Sequence, residues 1–286
     1  MLFEKATAET LGLVRFWVFS LAALSRFLVP VWEVCLLPEY EPSGVMKLLG
    51  TQYWFPFLTV ELAVGLQGLT IALLLLVALG VGPYRILTPL ACFALIVTEG
   101  LVRGNGIATH AHIILILCAL VLSMLPADDA FTLIRRRRTL KPARQYQAAL
   151  VSLSLIFCAT YLMVGVRRLA TSSFDVYLDD SILCATVQRD AEQGSAGGLG
   201  VWMCESVVGA WMLRIGFPVV TLLELLTPLC VFSRTFRWCW LAVMVPFHIG
   251  TGFLMGIWFP YSIAFIPFLV GGFDPFRKRD GEATAH

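Results

Sequence analysis

A chain of 286 residues that is 58% hydrophobic and only 14% charged is too apolar for an ordinary soluble domain, in which about a quarter of residues are charged. The formal net charge of +2, with no basic stripe interleaved with aromatics, argues against nucleic acid as a partner. Long apolar runs in lipid must satisfy their own backbone hydrogen bonds, so the expectation is an all-α, polytopic transmembrane helical bundle whose main partner is the lipid bilayer.

Taken in chain order, Met1 to Thr10 precede the first apolar run, and no small-residue cleavage site follows that run, so it reads as a retained span. A crossing takes about 20 mostly apolar residues. Eight runs qualify, at 12–32, 56–82, 86–102, 107–126, 146–166, 207–232, 238–256 and 259–273, the third and eighth being short. Pro56, Pro89, Pro218, Pro228, Pro246 and Pro267 interrupt or flank them, at points where helices kink or end. The whole chain, 1–286, is expected to form one transmembrane domain, with residues 1–11 and the tail 274–286 cytoplasmic.

Basic residues support that orientation. The segments assigned to the inside hold Lys5, Arg85, Arg135 to Arg138, Lys141, Arg144, Arg234, Arg237, Arg277, Lys278 and Arg279. Those assigned to the outside hold only Lys47, Arg103, Arg167, Arg168 and Arg189, as the positive-inside rule requires. The outside segment 33–55 carries Glu33, Glu39, Glu41 and Trp54. The extracytoplasmic loop 167–206 carries a flexible run from Gly194 to Gly200 and a short amphipathic helix around Ser181 to Asp190. Cys184 and Cys204 form a candidate disulfide there if the compartment is oxidising, two separate thiols being the equal alternative. None of the eight cysteines lies in a CxxC pair, so no metal site is expected.

Ionisable residues inside spans are the informative ones, each costing on the order of 2.5–3.5 kcal/mol at mid-membrane. They are Arg15, Arg26, Glu61, Glu99, His110, His112, Arg214, Glu224 and His248. Arg15 and Arg214 read as residues snorkelling from span ends. Glu99 reads as a partner of Arg103 one turn away. Glu61 and Glu224 need a cation or a proton, whether for packing or for function. His110 and His112 point about 200° apart on a regular helix, which does not suit one metal. His248 stands alone among aromatic and small residues, where a hydrogen-bonded packing role is the commoner one. No hydrolase, zincin or phosphate-loop motif occurs.

Four segments resemble, in order, the membrane core of vitamin K-dependent gamma-carboxylases. They are Leu125-Pro-Ala-Asp-Asp-Ala-Phe-Thr-Leu133, Tyr161-Leu-Met-Val-Gly-Val-Arg-Arg-Leu169, Leu223-Glu-Leu-Leu-Thr-Pro228, and the Phe-His run from Phe247 to Ser262. Together they are similar to the HTTM (horizontally transferred transmembrane) superfamily over about residues 12–275. The resemblance implies a reduced quinone or vitamin K-like molecule as ligand, and a lysine base where this chain has Arg168. A guanidinium only donates and does not release its proton in proteins, so carboxylase chemistry by that route is not expected. Arg168 suits holding a lipid phosphate, a carboxylate or a quinol oxygen.

The leading expectation is an outward-facing intramembrane cavity near Arg168, His248 and Glu224, with Arg167 and His110 as further candidates, that binds a quinone-like or lipidic molecule. The alternative is a noncatalytic scaffold or carrier in which the same residues pack the bundle. Whether the chain is an enzyme stays open, as do protein partners and the choice between a bacterial inner membrane and a eukaryotic endomembrane.

Overall fold

A computed structural model describes residues 7–37, 46–47, 49, 51–103, 113–134, 140–171, 184–185, 187–188, 197–255, 262 and 264. Among these residues every regular element is helical. Five segments are long and apolar enough to cross a membrane: Ala8–Leu36, Val60–Leu79, Tyr84–Val102, Ala143–Ala170 and Val207–Leu226. The chain is thus all-α, with the helices of a multi-pass membrane protein. It divides into two compact units, one formed mainly by residues 5–152 and one by 153–273.

In the first unit, helix α1 (Ala8–Leu28) starts at Thr7, whose hydroxyl accepts from the Thr10 amide. This satisfies one of the amides that a first turn leaves without an intrahelical partner. Helix α2 (Val60–Leu79) is capped in the same way by Thr59 and ends at Gly80, where φ 66 and ψ 34 place the backbone in the left-handed region that favours glycine. Helix α3 (Tyr84–Arg103) contains Pro89, and helix α4 (Ile113–Ser123) follows. α1 packs against α2 and α4, and α3 against α2 and α4.

Charged side chains brace this unit in ways that differ from the expectations above. Arg15 does not snorkel. It is fully buried, and its guanidinium donates to the carbonyls of Ala127 at 2.9 Å, Ala78 at 3.3 Å and Phe131. Two of these belong to the segment after α4 and one to the last turn of α2, where unsatisfied carbonyls carry partial negative charge. Phe131 has φ 55, uncommon for a residue with a side chain, and the edge-on ring of Phe16 holds it at 5.6 Å between centroids. Glu99 pairs with the buried Arg26, so both charges are neutralised inside the bundle. Gln67 stitches the end of α1, donating to the Arg26 carbonyl and accepting from the Val31 amide at 2.8 Å. Glu61 is not buried: α2 begins at Val60, so Glu61 lies exposed in the first turn, where the helix dipole favours an anion.

Helix α5 (Ala143–Thr171) runs on into the second unit. There it is joined by helix α6 (Gly197–Glu205), helix α7 (Val207–Leu226, capped by Ser206) and helix α8 (Arg234–Met255). α6 packs on α7 and α8, and α7 on α8. Two boundaries depart from the sequence reading. The expected loop 167–206 begins later, because α5 carries Arg167 and Arg168 on its final turns, and its glycine-rich part enters α6 from Gly197. The expected span 207–232 breaks at Thr227 and Pro228 before a short helical turn, Leu229–Phe232, since proline has no amide to continue the ladder. The carbonyl of Leu223 is recovered by the Thr227 hydroxyl at 2.9 Å and by the Trp240 indole at 3.1 Å. The expected eighth span, 259–273, lies outside the described residues apart from Ser262 and Ala264.

Candidate functional site

Three helical stripes in the second unit converge. On α5, Tyr161, Gly165 and Arg168 follow one another at spacings of four and three, which puts them on one face. On α7 the same spacing aligns Phe217, Thr221 and Glu224, and on α8 it aligns Trp240, Met244, His248 and Thr251. Gly165 lets α5 approach α7 closely: a Cβ there would stand 3.0 Å from the Leu225 amide nitrogen and 3.1 Å from Glu224 Cβ.

That approach sets one ion pair. Arg168 Nη1 lies 3.3 Å from Glu224 Oε2, with the arginine side chain 27% exposed and the glutamate side chain 2% exposed. The contact is longer than the 2.7–2.9 Å typical of aligned charge-assisted hydrogen bonds, and neither of these two atoms has a hydrogen-bond partner among the described residues. Attraction therefore holds the pair while its hydrogen-bonding capacity remains unspent. The guanidinium carbon also lies 5.3 Å from the centroid of the Phe217 ring and 6.0 Å from that of Phe247, both within cation–π range.

Deeper in the same unit, the Tyr161 hydroxyl and His248 Nε2 share a hydrogen bond of 2.6 Å between buried side chains. The Tyr161 ring meets Trp240 edge-on at 5.1 Å and Phe157 at 4.8 Å, so the tyrosine is fixed by aromatic packing as well. Trp240 spends its indole N–H on Thr227 Oγ1 at 3.0 Å and on the Leu223 carbonyl. The Thr251 hydroxyl donates to the His248 carbonyl at 2.9 Å. The result is a graded site: aromatic and closed around Trp240, polar at Tyr161 and His248, and charged and partly open at Arg168.

Of the residues singled out in the sequence, Arg168, Glu224 and His248 come together in this unit. Arg167 is exposed, one position before Arg168. His110 lies outside the described residues. Cys184 and Cys204 are half-buried and no disulfide joins them; Cys204 is carried by α6, whose packing on α7 and α8 sets its position. Arg214, the eighth residue of α7, is exposed, its guanidinium 5.3 Å from the Trp211 ring centroid. Sequence reasoning missed Tyr161, because a tyrosine within an apolar run is unremarkable by itself. The available signal was its spacing from Gly165 and Arg168.

Compared with family models, with curated proteins and with solved structures, the chain matches none.

Proposed function

We propose that this chain is an HTTM-type membrane protein that binds a quinone-like or lipidic molecule, with the polar head at Arg168 and Glu224 and the apolar part towards the Tyr161–His248 and Trp240 region. The observation that carries this reading is the ion pair itself. Its buried glutamate oxygen and its facing arginine nitrogen have no hydrogen-bond partner among the described residues, while the arginine side chain is 27% exposed. An acceptor oxygen on a ligand suits the guanidinium and a ligand hydroxyl suits the carboxylate. Phe217 and Phe247 supply ring faces beside them. Arg168 stands where the resemblance to gamma-carboxylases implies a lysine base, so its role here is to hold a ligand oxygen rather than to take up a proton.

A second reading, a noncatalytic scaffold or carrier, draws on a different observation. Arg26 is paired with Glu99, Arg168 with Glu224, and Arg15 with three carbonyls, so buried charge also serves to pack the helices. Native mass spectrometry of the purified protein separates the two. Under the binding reading, an isoprenoid or quinone co-purifies with the natural chain and is lost from Arg168→Ala or His248→Ala. Identical bulk phospholipids on all three proteins would leave the scaffold reading.

A further inference from the structure

The first turn of α8 contains a buried cation that the site above does not use. Arg237 is 7% exposed, and its Nε has no hydrogen-bond partner among the described residues. Counted along α8, it stands eleven residues before His248, about 16 Å away at 1.5 Å per residue. Among the described residues its titratable and charged neighbours are Arg234 on its own helix, Cys230 on the preceding turn and Cys158 on α5, with no carboxylate among them. A guanidinium removed from water is ordinarily held by a counter-ion or by carbonyls, as Arg26 and Arg15 are in this same chain. Arg237 has neither among the described residues.

The surroundings define what would complete it. Ser233 caps the helix, its hydroxyl accepting from the Phe236 amide at 3.2 Å and its carbonyl from the Arg237 amide at 3.1 Å. The amides of Arg234 and Thr235 remain at the open first turn, where the helix dipole adds positive potential. Side chains on a helix lean back towards its N-terminus, so Arg237 lies over this turn beside the exposed Arg234. Buried guanidinium, exposed guanidinium and open amides thus converge at the end of a 22-residue helix. The basic residues place this end on the cytoplasmic side in the expected topology.

We infer that the first turn of α8 binds a phosphate-bearing anion, gripped by Arg237 and Arg234 and by the amides of the helix N-terminus. The group is a phosphodiester or phosphomonoester, whose oxygens match the planar donor fork of arginine. A lipid headgroup and a soluble phosphate ester share this chemistry.

The test uses the full chain in detergent, with phosphatidylglycerol, phosphatidylcholine and inorganic phosphate as probes, read by native mass spectrometry. The natural protein is expected to retain phosphatidylglycerol over phosphatidylcholine, whose choline is repelled by the two arginines. Arg237→Gln should weaken that retention about tenfold or more, the usual scale for losing a hydrogen bond to a charged group. Arg234→Gln should weaken it less, and because Arg234 is exposed this variant serves if Arg237→Gln fails to fold. Phosphatidylglycerol resisting displacement by millimolar phosphate assigns the site to lipid; phosphate binding alone, lost in Arg237→Gln, assigns it to a soluble ester. Equal retention of every probe by the natural chain and both variants overturns the proposal.

Discussion

Removing Arg168 and removing Glu224 are unequal operations on one ion pair, because the two side chains differ in access to solvent. Arg168→Ala leaves a carboxylate that is almost fully buried and has lost its cation. The expected loss is about 3 kcal/mol, the lower end for an orphaned buried charge. Glu224→Gln leaves a partly exposed guanidinium that can still be hydrated, and about 1 kcal/mol is expected. Unfolding of the two variants under identical detergent conditions checks the order; equal losses would contradict the asymmetry. Arg15→Leu should be as damaging as Arg168→Ala, since it strands three carbonyls that one guanidinium now satisfies. At this scale the sequence was partly legible. Intramembrane charge pointed to Glu224 and His248, and the family resemblance pointed to Arg168. Arg15 was misread, because its position eight residues into α1 suggests snorkelling unless the carbonyls of Ala127 and Phe131, more than a hundred residues away, are known to fold over it.

Between elements, the α5–α7 contact depends on the absence of a side chain at residue 165. Gly165→Ala places a methyl 3.0 Å from the Leu225 amide nitrogen and 3.1 Å from Glu224 Cβ, both fixed by a helix rather than by a flexible side-chain end. The expected cost is about 1–3 kcal/mol, despite the better helix propensity of alanine. Because the displaced residue is Glu224, the substitution should also reduce ligand retention at Arg168 in the mass-spectrometric assay. The break at Pro228 offers a second test. Trp240→Phe keeps most of the ring packing against Tyr161 and Phe157 but removes the N–H donated to Leu223 and Thr227. A loss of about 1–2 kcal/mol follows, measured by denaturation in micelles. Helix starts were read only in part: α7 begins at Val207 as expected, whereas α1 begins at Ala8 rather than at 12 and α2 at Val60 rather than at 56, where Thr7 and Thr59 cap them. The end of α7 was signalled only by Pro228, one of several prolines where helices kink or end, because hydropathy continues unchanged through Leu229 to Phe232.

For the whole molecule, apolar runs were enough to give an all-α membrane architecture, since each span satisfies its own backbone regardless of its neighbours. Partners across the bundle were illegible for the opposite reason: Arg26 with Glu99, or Tyr161 with His248, are set by packing between segments far apart in the chain. Orientation rests on the distribution of lysine and arginine, and it makes a direct prediction. With both ends inside, the cluster Arg135 to Arg138 faces the cytoplasm and the segment between α5 and α6 faces the opposite side. A small reporter inserted after Thr139 should then be protected from an impermeant reagent applied outside intact cells, and one inserted at Gly194 should be labelled. The same signal at both positions would mean that the number of crossings between them is even. Since α5 is the crossing that separates these positions, such a result would also remove the premise that the C-terminal end of α5, which carries Arg168, faces the outer side.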